Sequence, residues 1–140
     1  MLTSESRIRV RYNETDRMGY LHHGVYPVYL EIARTEMLRD LSTSYKDLED
    51  SGILLPVYSL ALNYKSPAFY DDELIITSTL KMLPVVKLII DYIVEDQNNR
   101  TICTATSINV FINSQTRKAI RAPEFFLQKF EWFFNESDEA

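Results

Sequence analysis

Between Val25 and Leu41 this chain carries a segment whose first half is apolar on nearly every side, and such a segment has to be buried. It contains no glycine, and its single proline, Pro27, falls where a first helical turn tolerates one because the missing N–H would have no partner there. Tyr26, Leu30, Ala33, Met37 and Leu41 recur at three- and four-residue spacing and so share one helical face. Val25, Val28, Tyr29 and Ile32 widen that face. Arg34, Glu36, Arg39 and Asp40 turn the second half polar, so that end is expected to reach water, with Glu31 and Arg34 pairing at i,i+3.

The loop feeding this helix concentrates chemical groups. Gly19 and Gly24, two of the three glycines in the chain, bracket it and allow a tight path and close approach by a ligand. A helix N-terminus carries unpaired N–H groups and partial positive charge, so it stabilises an oxygen that gains negative charge during a reaction. Asp16 lies a short loop upstream. A carboxylate beside such an anion hole suits acyl transfer, in which one group attacks or activates water while the other holds the carbonyl oxygen. Plainer roles exist for the same residues: Asp16 can cap a turn, Tyr12 can pack in the core, and His22 can line the surface. His22 and His23 have no third ligand at useful spacing, so no metal site is expected. Glu36, a carboxylate on the helix itself, is the alternative base.

The remaining chain reads as strands and short turns. Arg7 to Tyr12 alternates, with Ile8, Val10 and Tyr12 on one side, and predicts a half-buried strand. Ser44 to Ser51 predicts a short helix capped by Ser44 and ended by Gly52. Ile53–Lys65, Glu73–Leu83, Val85–Glu95 and Thr101–Ile112 predict four strands, with Pro56 marking the first as an edge or irregular strand. DQNNR at 96–100 is a turn cluster. A last helix opens at Ala122-Pro123-Glu124 and runs to about Phe133; its aromatic group covers the sheet of its own subunit or meets another. One strand, a buried helix and then consecutive strands on short connections imply an α+β fold with an antiparallel sheet wrapped around the helix.

Two motifs carry a resemblance to a known family. Tyr12-x-x-x-Asp16-x-x-Gly19-x-x-x-His23-x-x-Tyr26, followed by Tyr29-Leu30-Glu31-x-Ala33-Arg34, resembles the hotdog-fold acyl-CoA thioesterases, and most nearly the 4-hydroxybenzoyl-CoA thioesterase and YbgC-like group. Asn63-Tyr64-x-x-Pro67-Ala68-x-Tyr70-Asp71-Asp72-x-Leu74 is similar to a hairpin of that family. The resemblance implies a five-stranded antiparallel sheet around a long central helix and hydrolysis of an acyl-CoA thioester. It implies Asp16 as nucleophile or general base, the backbone N–H of His23 as oxyanion donor, and the side chains of Tyr12 and His23 as assisting groups. Gly19, Gly24, Tyr26 and Lys65 are then expected to contact substrate. It also implies a homodimer or homotetramer with the active site at the dimer seam. Asn13-Glu14-Thr15 and Leu21-His22 depart from the residues common among relatives but leave the acid in place.

The length fits one domain, read as residues 1–134 with an acidic tail at 135–140. A net charge of −5 gives no general electrostatic reason to bind nucleic acid or an anionic membrane. Coenzyme A is itself an anion, so its phosphates call for a local basic group drawn from Lys65, Lys87, Arg117, Lys118 and Arg121. The single cysteine, Cys103, is read as a small buried hydrophobe. No apolar run approaches the roughly 20 residues that span a bilayer, and the N-terminus has no secretory pattern, so a cytoplasmic protein is expected. There is no Gly-x-Ser-x-Gly elbow, P-loop or dinucleotide fingerprint, and no cofactor is implied. Hydrolysis of an acyl-ACP and non-catalytic acyl binding remain open alternatives on the same residues.

Overall fold

The structure is a computed structural model that describes residues 1–138, with side chains through Phe134. Strands β1 (Leu2–Arg9), β3 (Val57–Tyr64), β4 (Glu73–Leu80), β5 (Lys87–Glu95) and β6 (Thr101–Val110) form one antiparallel sheet in the order β1-β4-β5-β6-β3. Two short strands, β2 (Ile53–Leu54) and β7 (Ile112–Asn113), pair separately. Helix α1 (Tyr26–Asp40) lies along the inner face of the large sheet, against β1 and β4 among others.

The expected stripe is what α1 buries: Tyr26, Leu30, Ala33, Met37 and Leu41 are all inside, with Tyr29 and Leu38 beside them. The buried positions of β6 are Ile102, Cys103, Ala105, Ser107 and Asn109. From Cys103 on, this is the set alternate to Thr104, Thr106 and Ile108, whereas Ile102 is buried as well. Burial pushes the Cys103 thiol up to about 11, which keeps it neutral.

Three expectations need correction. The first strand starts at Leu2 and ends at Arg9, because β1 pairs along the whole of β4, from Leu2 opposite Leu80 to Arg9 opposite Glu73. Tyr12 therefore lies in a 3-10 turn (Tyr12–Glu14), outside the sheet, and is 78% exposed. The helix is not buried all round: Val28 is 51% exposed and Glu31 faces out, because β3 is an edge strand and leaves that side of α1 uncovered. Glu31 and Arg34 form no ion pair, since Arg34 turns inward.

Helix α2 (Tyr45–Asp50) starts on Ser44, whose Oγ accepts the Asp47 N–H at 3.1 Å, and stops at Gly52, φ +85°. Helix α3 (Glu124–Asp138) runs past Phe133. Its Phe126 and Phe130 are fully buried, ring against ring at 4.9 Å, with Phe126 also 5.5 Å from Phe111. That aromatic group covers the core of its own protomer, leaving Phe125 and Trp132 exposed.

Candidate active site

Asp16 organises the loop before α1. Its Oδ1 accepts the backbone N–H groups of Met18 (2.9 Å) and Tyr20 (3.2 Å), its N–H donates to Tyr20 O (2.8 Å), and its carbonyl accepts from Gly19 (3.0 Å). The turn needs φ +81° at Gly19, where a side chain would be strained. Thus Asp16 does cap a turn, with one oxygen. Its Oδ2 takes no hydrogen bond from the described residues.

The segment entering the helix is held from several sides. The His22 N–H donates to Glu14 O (2.9 Å), and the Gly24 N–H donates to Nδ1 of His22 (2.9 Å). A Cβ on Gly24 would meet that exposed ring at 3.2 Å, a tight contact the ring would have to ease, whereas Gly19 is required by φ. The Tyr64 hydroxyl donates to His23 O (2.9 Å), and the His23 ring stacks on His22 at 4.3 Å. No described residue accepts the His23 N–H. The segment therefore presents an open backbone donor at the N-terminal end of a long helix.

Asp16 and His23 line one cavity of about 290 Å³ together with Tyr26, Tyr64, Lys65 and Pro67. Of the expected residues, Asp16, His23, Tyr26 and Lys65 are thus brought together. Tyr12 is not among them: it lines an adjoining cavity that shares Asp16, and its ring meets Tyr70 edge-on at 5.6 Å. Gly19 and Gly24 shape the loop without lining the cavity. Glu36 points away, paired with Arg39 on the exposed side of α1. Lys65 is the only one of the five candidate cations that lines the cavity; Lys87 sits 5.6 Å over the Tyr58 ring.

Two positioning groups had no legible signal in the sequence. Glu14 Oε1 accepts the Tyr29 hydroxyl (2.6 Å) and the Arg11 N–H (2.9 Å), tying the segment before Asp16 to the buried helix. That contact and burial push the Tyr29 phenol upward, burial contributing most. The second is Arg100, which the turn legible at 96–100 directs toward Pro67. Buried Asp96 accepts the N–H groups of Asn98 and Arg100 and the Arg100 side chain, while Arg100 Nη2 donates to Pro67 O (3.0 Å). One residue on, Ala68 O accepts the Leu21 N–H (2.7 Å), beside the Tyr20 N–H that holds Asp16. Arg100→Ala is expected to lower turnover about five- to tenfold by loosening this brace, with a melting shift of only a few degrees because Arg100 is half-exposed; unchanged kinetics would remove it from the site. Burial alone would raise the Asp96 pKa, but its hydrogen bonds and Arg100 outweigh that and lower it. The brace therefore holds above the ordinary carboxylate range and is lost as pH falls through the depressed value.

Sequence comparison gives the decisive observation. A family profile described as the thioesterase-like superfamily matches residues 10–130, which include both the Asp16 loop and the braced 66–72 segment. The chain belongs to the thioesterase-like superfamily. The Bacillus subtilis protein YneP is 30% identical over 126 residues, covering 90% of this chain and 91% of that one. YbgC of Escherichia coli, named an acyl-CoA thioester hydrolase, is 27% identical over 124 residues, 89% and 92% of the two chains. Among solved structures, a DHNA-CoA thioesterase from Staphylococcus aureus superposes with a TM-score of 0.91 at 27% identity, covering 99% of this chain and 95% of that one. The sheet wrapped around α1 is the hotdog fold of these thioesterases.

Proposed function

We propose that this protein hydrolyses the thioester of an acyl-CoA, with Asp16 as nucleophile or general base and the His23 N–H as oxyanion donor. The observation that carries the reading is one cavity holding a carboxylate with an open oxygen beside an unpaired backbone N–H at a helix start. The thioester carbon gains a bond to oxygen, from Asp16 or from water that Asp16 deprotonates, and the C–S bond breaks. The carbonyl oxygen carries the intermediate charge against the helix end. On the base route the proton Asp16 took from water passes to the coenzyme A thiolate as the acid forms; on the nucleophile route the thiolate takes a proton from solvent, and water then hydrolyses the acyl–Asp16 anhydride to release the acid and restore the carboxylate. The names of the relatives support the substrate class. The test is thiol release from a panel of aliphatic and aromatic acyl-CoAs, with the matching acyl-ACPs as a second arm. Turnover of several acyl-CoAs is expected; turnover of acyl-ACPs alone would move the carrier, and turnover of neither would overturn the reading.

The same reading places the working unit in a dimer. Edge strand β3 carries half-exposed Val57 and Tyr64 and exposed Tyr58, and the uncovered side of α1 presents Val28 next to it. A second copy laid along this seam would close the sheet edge and the cavity together. Val28→Glu adds a charge that a lone protomer leaves in water. It is expected to halve the mass measured by sedimentation and to remove most activity, while the protomer stays folded. A full-activity monomer of either sequence would sink the dimer.

A further inference from the structure

Among the described residues two charged side chains are buried, Arg34 and Asp96. Asp96 has Arg100 at 3.2 Å. Arg34 has no carboxylate within ion-pairing distance among the described residues. Its Nε donates to the Tyr45 hydroxyl and its Nη1 to the Tyr92 hydroxyl (3.3 Å), which in turn lies 2.8 Å from Ser107 Oγ. Phenols accept hydrogen bonds but supply no charge, and a buried cation without a counter-ion is costly.

Arg34 also lines a second cavity of about 240 Å³, whose other walls are Pro27, Val28, Leu30, Val57 and Leu60, with exposed Glu31 on its lining. A register shift between Val57 and Ser59 lets Val57 and Leu60 line this cavity together. The two cavities follow one seam. Tyr26 of α1 and Tyr64 of β3 line the first, ring to ring at 5.2 Å. Leu30, one turn on, and Leu60, four residues back along the strand, line the second. Arg34 follows another turn along the same face. From His23 to Arg34 is eleven residues, about 16 Å of helix rise, and side chains lean back toward the helix start. At about 1.2 Å of advance per bond in an extended chain, roughly eight to twelve carbons bridge the distance.

We propose that this second cavity takes the far end of the acyl group and that Arg34 binds a carboxylate there, making the preferred substrate the monothioester of a long dicarboxylic acid. The proposal rests on the thioesterase reading for its catalytic half. Apolar walls accept the methylene chain, and the guanidinium gains the counter-ion it lacks.

The experiment compares the CoA monothioester of decanedioic acid with decanoyl-CoA. The wild type is expected to favour the diacid by about tenfold or more in kcat/KM, the size of one charge-assisted hydrogen bond. Arg34→Met is expected to lose that preference while keeping decanoyl turnover, and Arg34→Lys to keep part of it. No preference in the wild type, or an equal loss on both substrates in Arg34→Met, overturns the proposal; the equal loss would make Arg34 a structural tie between α1 and the sheet. Should Arg34→Met fail to fold, Arg34→Gln keeps amide donors for the Tyr45 and Tyr92 hydroxyls without the charge and is expected to lose the diacid preference; retained preference overturns the proposal. Thermal shifts with free decanoate and decan-1-ol read the subsite without turnover. Stabilisation by the carboxylate alone, lost in the variants, upholds the subsite even if no thioester is hydrolysed, and equal shifts overturn it.

Discussion

Asp16→Asn is expected to lower kcat on the best acyl-CoA by about 10²-fold or more and to leave the melting temperature nearly unchanged. Asparagine keeps a carbonyl oxygen where Oδ1 accepts the Met18 and Tyr20 N–H groups, so the turn at Gly19 retains its form. What it removes is the negative oxygen that attacks or takes a proton, since the Oδ2 position becomes an amide NH₂. Asp16→Ala removes the turn acceptor as well and is expected to cost stability in addition to rate. Steady-state kinetics and thermal melts on the same preparations separate the two effects. Full activity in a folded Asp16→Asn protein would mean that another group performs the chemistry.

Phe130→Ala is expected to destabilise the protein by about 3–5 kcal/mol. Phe130 is fully buried against Phe126, which packs on Phe111 at the end of β6, so truncation leaves a cavity inside a closely packed aromatic group. Because that group lies within one protomer, the loss measured by urea titration should be the same at low and high protein concentration. A small or concentration-dependent loss would instead assign the aromatic side of α3 to a subunit contact. Trp132, at 59% exposure, serves as the control: Trp132→Ala should cost little.

Much of the site was legible before any coordinates, for physical reasons. A glycine that must adopt φ +81° and a glycine pressed against a histidine ring both announce a tight loop, and the apolar run from Val25 announces the buried helix it enters. Tyr12 misled because alternation continues through it in the sequence, whereas strand pairing stops at Arg9 opposite Glu73 and the chain turns. Arg34 misled for a related reason. Spacing puts Glu31 within reach on the helix surface, but Arg34 lies on the buried face, where two phenols compete for it. Glu14 and Arg100 carried no signal because their partners, Tyr29 and the Pro67 carbonyl, are 15 and 33 residues away.

Local chemistry in the sequence thus determined the helix, its stripe, the glycine loop and the carboxylate within it, since each depends on neighbours a few residues apart. Tertiary structure alone decided which strand stands at the open edge, which residues of β6 are buried, and which distant groups brace the loop. Those choices follow from sheet order and register, and they depend on pairing between segments whose separation along the chain says nothing about their separation in space.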